Sequence, residues 1–386
     1  IDSVKSLHTG SVWDLKNQVG PLIQPPSGAL RDSLSQPISR LNWAVPPTQK
    51  VVNPRLVSPT LKWGVKEDSF DHLTELFGPV LSVMRAKNLK HAISIVNKTG
   101  YGLTSGLESL DEREQRYWMD HIVAGNLYVN KPTTGAIVGR QPFGGFGKSS
   151  FGASRKAGGL NYVLSFREFE SKSKPSPSSV MVSTRFDTIK ESLCAYGNTH
   201  QTRLSDITLS LILLDHFLSC YETYFKSVSL NADVLGEDNR TRYLSAGDIL
   251  IRVHENDSVY TLLALVFGAL VSSCRINVSL PIGLHNEVSE ILFSSDMEFI
   301  LKQCHVVKET DEDCMVRLES FDRLRVSDPQ HLSSTMYAMA AKCCVPVIHH
   351  PPVSEGRVEL LHYLKEQTIS MSLHRYGNRC VKGLFH

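Results

Sequence analysis

From Gly125 the chain reads Gly-Asn-Leu-Tyr-Val-Asn, and from Thr134 it reads Thr-Gly-Ala-Ile-Val-Gly-Arg-Gln-Pro-Phe-Gly-Gly. A short apolar strand therefore empties into a glycine-rich loop. Four glycines and one proline between Thr134 and Gly145 let backbone approach a small ligand where side chains would obstruct it. A loop of this kind needs rigid elements around it, and the flanking sequence supplies them. Asn88 reads as the cap of an amphipathic helix carrying Ala92, Ile93, Ile95 and Val96, with stop signals at residues 97–100. Residues 103–107 read as a strand, Asp111 with Glu114 as a capping box opening a helix to about Val123, and residues 127–130 as the next strand. Strand, helix, strand in this order predicts an α/β domain with parallel pairing.

Further along, residues 160–169 alternate apolar and polar positions, which predicts an exposed oligomerisation strand completed by a partner chain. Residues 171–179 are serine- and proline-containing, polar and aperiodic, so a linker is expected over residues 171–185. Beyond it a second α/β domain is expected over residues 186–360. Its elements are helices at 209–224 and 258–272, strands at 249–253 and 276–280, and a helix at 356–367. Its strand–helix junctions carry no phosphate-binding glycine turn, which argues against a working cofactor site there.

The length of 386 residues suits two domains, each with its own core. A net charge of +2 gives no electrostatic reason for a nucleic-acid partner, and no apolar run approaches the roughly 20 residues of a membrane span. The eight cysteines all lie beyond residue 193 and none shows Cys-x-x-Cys spacing, so reduced, mostly buried thiols in a cytoplasmic protein are expected. His349 and His350 are adjacent, and neighbours on a strand face opposite ways, so no metal site is assigned. Gly147-Lys148-Ser149 imitates the end of a P-loop, but Pro142 stands where its first glycine belongs. A dinucleotide fingerprint starting at Gly145 fails at Ser150.

With Glu75-Leu76-Phe77-Gly78-Pro79-Val80 upstream, the glycine-rich stretch resembles the catalytic half of an aldehyde dehydrogenase. Within that family it is most similar to the L-glutamate γ-semialdehyde (1-pyrroline-5-carboxylate) dehydrogenase part of the bifunctional proline utilization A enzymes. The resemblance implies an NAD-dependent parent enzyme in which Glu75 bonds the nicotinamide ribose and Phe77 packs near the nicotinamide. It implies that Gly135 and Ala136 anchor the substrate's α-amino and α-carboxylate groups through backbone donors, with Phe143 against its aliphatic part. It also implies an upstream proline dehydrogenase domain carrying FAD, an upstream NAD-binding fold, homo-oligomerisation, and a second, non-catalytic aldehyde-dehydrogenase-like (Rossmann-like) domain. A terminal segment over residues 361–386 would seal an internal passage for the channelled intermediate.

That family places its nucleophilic cysteine upstream of these motifs, and residues 1–193 contain none. No catalytic residue is assigned to the chain, and Glu67 and Glu108 read as surface carboxylates. The start at Ile1 looks like the cut edge of a longer polypeptide, so the chain by itself is expected to be inactive with no bound cofactor. An aldehyde dehydrogenase of other specificity and a non-catalytic assembly or lid module remain as alternatives.

Overall fold

The structure, a computed structural model, describes residues 1–11, 13–36, 43–48, 53–134, 136–153, 155–167, 169, 184–231, 234–294, 302–375 and 378–379. The linker expected at 171–179 lies outside them. Two compact units emerge, one of Ile1–Gly100 with Arg116–Ile122, the other of Tyr101–Gln115 with Val123–His386.

In the first unit β1 (Trp43–Val45), β2 (Thr60–Trp63) and β3 (Val80–Val83) form a small sheet, antiparallel between β1 and β2 and parallel between β2 and β3. Lys62 on β2 is buried. Its ammonium donates to Asp71 Oδ1 and Ser33 Oγ, both at 2.6 Å, and lies 4.6 Å from the centre of the Trp43 ring. Burial of a charge is tolerated there because every polar neighbour answers it. Helix α1 (Leu89–Lys98) starts where expected, with Asn88 Oδ1 accepting from the His91 N–H at 2.9 Å, and Ile93 and Ile95 form its buried face.

The second unit contains β4 (Thr104–Leu107) and β5 (Asn126–Val129), joined through α2 (Glu112–His121), whose last turns fall in the first unit's residue range. The two strands pair in parallel, as the alternation predicted. The expected capping box is closed indirectly: the Asp111 N–H donates to Ser109 Oγ at 3.1 Å, and that hydroxyl donates to Glu114 at 2.6 Å. Residues 162–166 differ from expectation, forming a 3₁₀ turn (Tyr162–Phe166) rather than a strand. An alternating segment gains strand hydrogen bonds only from a neighbour. Here it closes local ones instead, Tyr162 N–H to Gly159 O and Leu164 N–H to Asn161 O.

Next come α3 (Asp187–Thr199), α4 (Leu204–Cys220), β6 (Ser229–Leu230) and β7 (Glu237–Ser245). The helical stretch Gln201–Phe225 is, contrary to the sequence reading, long and apolar enough to cross a membrane by length and composition. Its Leu213, Leu214, Phe217 and Leu218 are nevertheless buried in the core of this unit. A five-stranded parallel sheet follows: β8 (Asp248–Arg252), β9 (Arg275–Pro281), β10 (Cys304–Glu309), β11 (Arg323–Val326) and β12 (Val347–His349). Its spatial order is β10-β9-β8-β11-β12, the doubly wound arrangement with a reversal between β8 and β11. Helix α5 (Val259–Val271), capped by Ser258, is buried on nearly every side, as its uniformly apolar sequence requires.

Residues 356–367 depart most from expectation. Only α6 (Gly356–Glu359) is α-helical there. A 3₁₀ turn (Leu360–His362) follows, and then β13 (Leu364–Ser372). The strand enters the middle of the sheet β4-β5-β13-β7-β6, parallel to β5 and antiparallel to β7, with Thr368 opposite both Asn126 and Thr241. Two ready hydrogen-bonding edges, with β-branched Thr368 and Ile369 between them, override the local helical pattern. This sheet joins residues on both sides of the linker.

Candidate substrate and cofactor site

The residues singled out from sequence fall in both units, and each is described in its own. In the first unit Glu75 is exposed, just before a turn into β3. Phe77 beside it has φ +46 and is 85% exposed. A bulky residue in left-handed backbone space costs on the order of 1–3 kcal/mol, and such strain clusters at ligand contacts. The pair thus presents a carboxylate, with two acceptor oxygens suited to vicinal hydroxyls, and an aromatic ring held out of any core.

In the second unit the loop begins where β5 ends. Gly125 lies against the Gly144 carbonyl so closely that a Cβ there would collide with it. The joint is pinned by Lys156, which is fully buried: its Nζ donates to Gly125 O at 2.7 Å, to Asn126 Oδ1 at 3.1 Å and to Gly144 O. Burial pushes the Lys156 ammonium down to about 7, against the opposing pull of Glu366. Asn126 adds donations to Leu103 O at 2.6 Å and Gly144 O at 3.1 Å. Phe143 is half-buried and exchanges two backbone hydrogen bonds with Ala157, at 2.9 and 2.8 Å. The position of the loop is therefore fixed by β5 and by a buried cation that nothing in the local sequence pattern announces.

Ala136 is exposed, and none of the described residues accepts from its amide. Gly135 lies outside the described residues. Immediately after Ala136 the backbone turns, with the Arg140 and Gln141 N–H groups donating to Ile137 O. A cleft of about 260 Å³ opens here, lined by Lys131, Thr134, Ile137, Arg140, Gln141 and, from the later strands, Glu237. Lys131 Nζ bridges Glu237 Oε1 and Ser370 Oγ, each at 2.9 Å. Burial alone would raise the Glu237 carboxyl, but the hydrogen bonds from Lys131 and Asn239 and the nearby charges of Lys131 and Arg140 hold it below its ordinary range. Gln141 is buried at 4% exposure, and its Nε2 meets no acceptor among the described residues. The cleft thus offers amide and guanidinium donors beside an exposed backbone N–H, a set suited to an anionic, amino-acid-like ligand.

The carboxyl end of the doubly wound sheet is built differently. The loop from β8 to α5, His254 to Ser258, contains Glu255 and Asp257 and no glycine. Arg252 donates to Asp311 at 2.8 Å and to Ser279 at 2.8 Å, while Glu309 accepts from Ser279 at 2.6 Å and Arg317 at 2.8 Å. A pyrophosphate would meet two carboxylates at the helix N-terminus and a crevice whose charges already answer one another, so these residues do not fit a dinucleotide.

Residues 1–169 match the Aldehyde dehydrogenase family. The 1-pyrroline-5-carboxylate dehydrogenases of Bacillus cytotoxicus and Bacillus thuringiensis are each 43% identical over 107 residues, which are 28% of this chain and 20% of theirs. The solved structure of proline utilization A from Corynebacterium freiburgense is similar over 97% of this chain and 34% of that chain, with a TM-score of 0.74 and 28% identity. The chain thus spans about a fifth of the curated relatives' length and a third of that structure. Motif and similarity agree in a resemblance of residues 1–169 to the aldehyde dehydrogenase family.

Proposed function

We propose that this chain is part of an NAD-dependent L-glutamate γ-semialdehyde dehydrogenase within a bifunctional, proline-oxidising polypeptide that also carries an FAD-dependent proline dehydrogenase. The observation that carries the reading is the loop of residues 134–145, with an exposed Ala136 amide, half-buried Phe143 and a donor-lined cleft. Its support is the 43% identity with 1-pyrroline-5-carboxylate dehydrogenases.

In this reading the Gly135 and Ala136 amides hold the substrate carboxylate, and Phe143 packs on its methylene chain. Holding the amino-acid end fixes the distance to the aldehyde carbon, so orientation is supplied before reaction begins. Glu75 accepts from the cofactor's ribose hydroxyls and Phe77 limits where the ring can lie; when bound, NAD supplies the hydride acceptor. In this reading the thiol nucleophile is not supplied by residues 1–193, which contain no cysteine. The second sheet takes no nucleotide and serves as a lid and assembly module, its support being the central place of β13 beside β5.

Ala136→Pro and Phe143→Ala in the intact enzyme test the reading. Each should raise KM for glutamate semialdehyde about ten-fold or more while leaving propanal oxidation within about two-fold, since only the first substrate has an amino-acid end to lose. Equal losses on both aldehydes would sink the assignment.

A further inference from the structure

We propose that His216, Cys220 and Glu355 form a binding site for a zinc-class divalent transition-metal ion. Helix α4 places His216 and Cys220 four residues apart, and so on one face, one turn above the other. Glu355 comes from the turn that opens α6. Cys220 Sγ lies 3.5 Å from His216 Nε2 and 3.8 Å from Glu355 Oε1, and His216 Nε2 lies 3.7 Å from the same oxygen. A nitrogen–oxygen separation of 3.7 Å is too long for a hydrogen bond. Three ligands at ordinary zinc distances and tetrahedral angles would be about 3.3–3.6 Å apart, so the trio needs to contract by only a few tenths of an ångström.

The surroundings fit the same reading. Gly356 lets the turn reach the helix: a Cβ there would stand 2.9 Å from Cys220 Sγ. The Arg357 N–H donates to Glu355 Oε1 at 3.0 Å and orients the carboxylate. Arg357 turns its guanidinium over the Tyr224 ring, 4.4 Å from the centroid. Cys220 is buried, His216 intermediate and Glu355 exposed, so the soft ligand is dry while an approach from solvent stays open for the ion and a fourth, water ligand. Thiolate and carboxylate together balance a dication, and the mixed sulfur, nitrogen and oxygen set selects zinc or cobalt over magnesium or calcium.

A second cluster, His350, Glu359 and His362, shows what excludes an ion. There the Arg325 guanidinium already donates to Glu359 at 3.0 Å, and the two imidazole Nε2 atoms are 3.1 Å apart, sharing one hydrogen bond. The resident cation of that cluster is Arg325. At His216 no such guanidinium bond to the carboxylate is formed among the described residues.

The test uses the full chain, stripped with a chelator and titrated with Co²⁺ alone. The expected result is a thiolate-to-cobalt charge-transfer band saturating at one equivalent and displaced by Zn²⁺. It should be lost in Cys220→Ser and retained in Cys194→Ser and Cys344→Ser, which remove exposed thiols. No band at one equivalent, or a band that survives Cys220→Ser, overturns the proposal. Should Cys220→Ser fail to fold by circular dichroism, Glu355→Gln at the exposed position decides. A loss of Zn²⁺ affinity of about ten-fold or more supports the site, and an unchanged affinity overturns it.

Discussion

Position 77 holds a phenylalanine where glycine would be at ease, with φ +46 and the ring in solvent. Among the described residues the ring buries little surface, so Phe77→Gly should leave stability unchanged or raise it by up to about 1 kcal/mol. The same change should weaken NAD binding to the intact enzyme about ten-fold; urea melts and a NAD titration check both, and a large stability loss would show that the ring is packed. Lys156 is the opposite case, a side chain wholly absorbed by the fold. Its folded-state pKa, near 7, lies below the 10.5 of a free lysine, so the unfolded chain binds the proton more tightly. Unfolding then takes up protons, and stability climbs as pH rises from about 7 toward 10.5. Lys156→Met should erase that slope in urea midpoints and cost about 1–3 kcal/mol for the acceptors it strands. The glycines, Glu75 and Phe77 stand out in the sequence because they fall in two compact motifs, and their roles are those proposed above. Lys156 and Gln141 could not, since a buried lysine or glutamine looks like a surface one until partners 12 to 31 residues away are known.

Among the elements, α1 and α5 were legible because cap and apolar face act locally. Asn88 caps the first as read, and Ser258, read as the start of the second, proves to be its cap. The box at Asp111 and Glu114 was half legible: the residues are right, but Ser109 relays between them. The strand β13 was hidden because Val358, Leu360 and Leu361 imitate a helical stripe that continues into Gln367. What decides for a strand is β5 on one side and β7 on the other, neither of which is near in sequence. The Thr368 N–H donates to Gly125 O at 2.9 Å in the centre of this sheet. Thr368→Pro should therefore cost about 3 kcal/mol or more, seen as lost near-ultraviolet dichroism at room temperature; a melting point within a few degrees of wild type would contradict the pairing.

For the whole molecule, the sequence disclosed an α/β chain but not how residues 364–372 are used. Residues 364–372 complete a sheet begun at residues 104–129. A chain ending at Tyr363 should keep much of its helix signal, lose fixed aromatic packing and bind a hydrophobic dye, because β5 and β7 would face each other across an empty slot. Sharp near-ultraviolet bands in that truncation would refute this account.

The placement of β13 makes a sheet begun early in the chain wait for residues 364–372. Residues 104–363 leave the ribosome before the strand that joins their two edges is made, so a copy cut short before Leu364 carries an open seam. Only a chain translated through Ser372 can close it.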